Sequence, residues 1–154
     1  MSEQQNVTDT YILFELAGTT YALPSKKVQV LEMIEQITPV PEAPSFVEGV
    51  VFSRGQVIPA IDLRSRFGFE KIPYTPRSRL IVIQEQERVV GLIVDTAREF
   101  LAIPRDKIQP PPETISGLSG QYLEGIATLD ERIIIILNVG ELLNIKEPET
   151  VTKK

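Results

Sequence analysis

One sixteen-residue segment of this chain occurs twice. EGVVFSRGQVIPAIDL at 48–63 aligns without a gap with EGIATLDERIIIILNV at 124–139, at a constant offset of 76 residues. Each copy reads as a strand, a tight turn and a second strand. The first places strands at 50–53 and 56–62 around Arg54-Gly55, and the second places them at 122–129 and 132–138 around Asp130-Glu131. Apolar runs flanking a two-residue turn are the sequence signal of a β-hairpin. A second pair of segments, 21–34 and 90–103, matches at an offset of 69, and a longer second loop at 113–121, carrying Gly117 and Gly120, absorbs the difference. Two matching blocks in the same order imply an internal duplication of a small β unit.

The remaining stretches fit that plan. Residues 11–16 and 21–23 form a first hairpin across Ala17-Gly18-Thr19-Thr20, and Pro24-Ser25 breaks it. A helical turn at 26–29 then gives way to an extended segment at 30–34. Three prolines make 38–44 a stiff loop that delivers Phe46 and Val47 to the core. Pro59 implies an edge strand or a bulge. Asp62 caps a helical turn at 63–67 that Gly68 closes, and Asp95 caps another at 96–98. Residues 79–84 and 88–94 pair as a hairpin. The expected class is therefore all-β, with ten or so short strands and no long helix. The expected division is a disordered N-terminus at 1–9, lobes at about 10–70 and 79–146 joined by a proline-bearing linker at 69–78, and a charged tail at 147–154 ending a short helix at 140–145.

Composition narrows the chemistry. The chain has no His and no Cys among its 154 residues. Ser-His and Cys-His nucleophile systems, thiol chemistry and the usual zinc sites are thereby excluded. Neither the P-loop pattern nor G-x-G-x-x-G occurs. Asp62 and Asp95 are the carboxylates nearest strand ends, and capping accounts for both. No enzyme activity, cofactor or metal is expected. A net charge of −5 disfavours nucleic acid and anionic membrane. The two arginine pairs, Arg64 with Arg66 and Arg77 with Arg79, read as solvated faces. No apolar run reaches the length of a membrane span, and residues 1–10 carry no secretory signal, so the cytoplasm is the expected location. Function then falls to surfaces that bind other proteins. Val28 and Val30 share strand parity, and the pattern leaves them as core or as the lining of a cleft.

A specific likeness emerges from these blocks. YALP, VQVL, APSFVEGV, RGQVIPAIDL, VGLIVD and YLEGIATLDERIIIIL, in that order, resemble the CheW family of chemotaxis coupling proteins. The resemblance implies two five-stranded SH3-like β-barrel subdomains around a shared core. It also implies a non-catalytic adaptor that ties the regulatory domain of a CheA-type histidine kinase to the cytoplasmic tips of chemoreceptors, recruited to receptor arrays at the inner membrane. Carried over by position, the family's G-V-x-N-x-R-G motif places its Arg on Arg54 and its opening Gly on Gly49, and partner contacts fall on Val28 and Val30. Arg54 either contacts a partner or tethers its own loop. Two departures stand out: Phe52 replaces the motif's Asn, and Val30 replaces an acidic residue. Both put an apolar group beside the implied partner surface, which points to a specialised paralogue, such as the adaptor of a type IV pilus or gliding chemosensory pathway.

Overall fold

The structure, a computed structural model, describes residues 7–112 and 122–143, less the side chain of Arg98. The expected tail at 147–154 and the glycines of the 113–121 loop lie outside the described residues. Strand β1 (Thr8–Leu16) turns through Ala17 and Gly18, both at positive φ, into β2 (Thr19–Pro24). Pro24 ends that hairpin, and one 3-10 turn over Ser25–Lys27 leads into β3 (Val28–Met33). The duplicated hairpin follows as β4 (Val47–Ser53) and β5 (Gln56–Asp62). A helical turn over Leu63–Arg66 precedes β6 (Arg79–Glu85) and β7 (Arg88–Val94). Then come β8 (Thr96–Pro104), β9 (Ile108–Gln109), β10 (Leu123–Leu129) and β11 (Arg132–Leu137), with a last helical turn over Val139–Leu142.

The all-β expectation holds, but the sheets do not divide where the chain does. One sheet runs β8-β1-β2-β11-β10-β9 and the other β3-β6-β7-β5-β4. One therefore has the five strands expected and the other six, the extra one being the two-residue β9. Each sheet draws two strands from one repeat and the rest from the other. The lobes at 10–70 and 79–146 are thus corrected, and so is the linker: residues 69–78 join β5 to β6 inside a single sheet. The chain crosses between sheets at the 3-10 turn before β3 and at Asp95 before β8. The duplication itself survives in the register. Val28 pairs with Ile83, and 69 residues around the repeat Ala97 pairs with Phe14. Strand periodicity reports which segments are extended, whereas sheet membership depends on pairing between distant residues, which no local pattern encodes. The expected disorder also stops short, since Thr8 and Asp9 already pair with Pro104 and Ile103.

Three apolar clusters fill the molecule. The largest takes Ile12, Phe14 and Leu23 from one sheet and Ile61, Ile81 and Leu92 from the other, so the two sheets share a core. A second, around Leu13, Ile103 and Ile136, belongs to the first sheet, and a third, around Ile58, Leu80 and Val82, to the second. Pro59 lies in neither an edge strand nor a bulge. β5 is interior, between β7 and β4. Val50, opposite Pro59, exchanges both backbone hydrogen bonds with Thr38, so β4 asks no N–H of Pro59. The parallel ladder to β7 begins only at Ala60. The missing donor falls where none is needed.

Candidate functional site

The tip of the β4–β5 hairpin is built by Arg54 and Gly55, at φ 51° and 86°. Two successive left-handed residues match the twist of a two-residue hairpin, and the glycine takes the second position without strain. Arg54 Nη1 donates to the Gln29 carbonyl at 3.3 Å, so one arm of the guanidinium tethers the hairpin to β3 while the side chain stays exposed. Beside the turn, Phe52 and Val57 face each other across the strands, 73% and 64% exposed. Met33, at the end of β3, is also exposed and lines the same groove as Phe52. Phe52, Val57 and Met33 thus give the hairpin an apolar outer wall. Sequence reasoning misses Val57 and Met33. Val57 is within its reach, because it sits as far beyond the turn as Phe52 sits before it.

The other sequence candidates take structural places. Val28 and Val30 do not share a face. The register of β3 against β6 shifts between them, so Val28 pairs with Ile83 and packs on the shared core while Val30 pairs with Val82 and packs on the third cluster. A β-bulge breaks period-two parity, and the common outward face is corrected on that ground. Gly49 has a φ of 152°, and a Cβ there would collide with the Thr38 carbonyl. It admits the chain segment that crosses β4 at Thr38.

Asp62 caps the Leu63 turn as expected, accepting from Ser65 N at 3.2 Å, and it also accepts the Tyr74 hydroxyl at 2.9 Å. Burial, with the charges and hydrogen bonds of Asp62 and Glu48, pushes the Tyr74 hydroxyl well above its ordinary range. Asp95 caps no helix, since β8 begins at the next residue. Its carboxylate instead accepts both ends of the Arg64 fork at 2.8 Å and Ala17 N at 2.9 Å. Burial alone would raise the Asp95 pKa, but the hydrogen bonds from Arg64 and Ala17 and the charge of Arg64 outweigh it and hold it below the usual carboxylate range. Arg64 is therefore not a solvated charge. It clasps the turn after β5 to the β7–β8 crossover and the β1–β2 turn. Arg66 lies over Phe46 at 4.4 Å and Tyr122 at 5.3 Å, beside the Phe67–Tyr122 stack. Asp62 and Asp95 are thus each engaged with structural partners. Among the described residues no cluster of acidic side chains could hold a metal ion. No helix among them is long and apolar enough to cross a membrane.

An outward apolar wall on a duplicated β scaffold is the setting for the comparisons. The CheW-like domain family matches residues 10–147. The chain belongs to the CheW-like family. It is 32% identical over 143 residues to the chemotaxis protein CheW of Klebsiella aerogenes, covering 93% of this chain and 86% of that one. Protein FrzA of Myxococcus xanthus is 28% identical over 156 residues, covering 99% and 96% of the two chains. Among solved structures, that of the scaffolding protein TtCheW from Thermoanaerobacter tengcongensis superposes with a TM-score of 0.84 at 33% identity, covering 96% of this chain and all of that one. The CheW-like fold, with its two β subdomains, is the one described above.

Proposed function

We propose that this protein is a non-catalytic chemotaxis adaptor. In this reading it couples the regulatory domain of a CheA-type histidine kinase to the cytoplasmic tips of chemoreceptors, in arrays at the inner membrane. The observation that carries the reading is the exposed Phe52–Val57 pair beside Arg54, an apolar wall with a cation at its rim. Large apolar side chains paired on a sheet's outer face are suited to burial against a protein partner, and an arginine fork can fix that partner's orientation. Arg54 and Phe52 are the proposed contacts, Gly49 shapes the strand that presents them, and Val28 and Val30 support β3 beneath. The likeness to chemotaxis proteins named CheW and to a scaffolding protein supports the adaptor role. A second reading, an adaptor of a type IV pilus or gliding pathway, is supported by Phe52 itself and by a relative, FrzA, that spans nearly the whole chain under a different name.

The test is a pull-down from native cytoplasm with tagged wild type, Arg54→Glu and Val57→Asp, read by mass spectrometry. A CheA-type kinase and chemoreceptors should come down with wild type and be lost with both variants. Recovery of neither partner by folded wild type would overturn the adaptor reading. Components of a motility system without flagella would select the second.

A further inference from the structure

The two halves of the duplication close their sheets differently, and the difference leaves an open strand edge. In the first sheet β9 pairs with β10 through Gln109 with Ile126 and Ile108 with Ala127. Seventy-six residues earlier, Thr38 makes the counterpart of the first pair with Val50, but Val51 has no counterpart of the second. The segment 34–37 stands away from β4 instead. A groove of about 620 Å³ opens there, floored by Ile34, Ile37, Val51 and Leu80.

Backbone alternation decides what that edge presents. Val50 turns its N–H and C=O outward to Thr38. Phe52, two residues on, therefore turns its own N–H and C=O the same way, into the groove, and neither has a hydrogen-bond partner among the described residues. The side chains lining the groove include two carboxylates, Glu32 and Glu35, and no cation.

We propose that this groove takes an extended segment of a partner protein, added as a strand on the β4 edge, with apolar side chains directed into the groove and Lys or Arg meeting Glu32 and Glu35. The unpaired backbone groups favour a strand over a helix, whose mid-segment donors and acceptors are already used within the helix. The acidic lining favours a basic occupant. The proposal goes beyond the adaptor reading and does not depend on which kinase or receptor is bound, since Val57 and Arg54 lie outside the groove.

A phage-displayed library of random dodecapeptides, selected on the folded full chain, tests it. Enriched sequences should alternate apolar residues with Lys or Arg, and a fluorescein-labelled consensus peptide should bind measurably by anisotropy. Phe52→Pro deletes the outward N–H without removing a bond to β5, and should weaken that peptide at least tenfold relative to Phe52→Ala, which keeps the N–H. Glu35→Lys, on an exposed side chain, should weaken it severalfold, and this variant decides the question if Phe52→Pro misfolds by circular dichroism. Val57→Asp should leave peptide binding unchanged, which separates this edge from the outer wall. No enrichment over uncoated beads, enrichment of helical sequences, or binding indifferent to Glu35→Lys would overturn the proposal.

Discussion

Gly49 and Gly125 open the two copies of the repeat, yet the backbone uses them differently. At Gly49 a φ of 152° and the facing Thr38 carbonyl both forbid a side chain. At Gly125 the nearest atom to an added Cβ is the Ile108 side chain, at 2.8 Å, which can turn aside. Gly49→Ala should therefore destabilise the fold by about 3 kcal/mol or more, and Gly125→Ala by only about 1 kcal/mol. Urea titrations of the two variants check this, and equal losses would refute the distinction. The Asp95 clasp carries a pH dependence. Its folded pKa lies below the unfolded value of about 3.9, so the unfolded chain binds more protons in the window between them. The clasp's contribution is therefore complete above about pH 5 and declines as pH falls below about 4. Asp95→Asn should lower Tm at pH 7 and flatten its fall on acidification. An unchanged acid profile would mean that other carboxylates govern it.

Among elements, the two long hairpins share a register but not turn chemistry. Arg54-Gly55 places glycine at the second left-handed position, whereas Asp130 and Glu131 occupy both such positions at φ 49° and 67° without one. A left-handed conformation costs an ordinary residue about 1 kcal/mol. Glu131→Gly should accordingly raise stability by up to about 1 kcal/mol, measured by chemical denaturation, with no change in the strand signature by circular dichroism. A loss would show that the Glu131 side chain holds the turn. Hairpins of this kind are legible in sequence because a tight turn and its flanking strands are local. The β3 bulge is not, since it is set by how the strand meets β6, and the separate faces of Val28 and Val30 are hidden with it. Asp95 misleads for a similar reason: a carboxylate before a polar stretch looks like a cap until Arg64 arrives from 31 residues away.

At the scale of the molecule, each sheet needs strands from both repeats. Fragments 1–70 and 79–154, produced separately, should each lack dispersed amide spectra, and mixing or co-expressing them should restore a folded complex. An independently folded fragment would contradict the interleaved pairing. Local pattern carries a good deal: the duplication, the hairpins, the Asp62 cap and the absence of histidine and cysteine chemistry all follow from residues near one another or from composition. Gly49 and Phe52 also stand out in the sequence, though their settings do not, because the Thr38 carbonyl and the open edge belong to a segment that folds back across β4. Sheet membership, the Arg64–Asp95 clasp and the exposed wall around Val57 required the chain to be folded, because hydrogen-bond pairing and burial are relations between distant residues. Periodicity shows that a strand has two faces. Which face meets solvent is decided by what packs on the other.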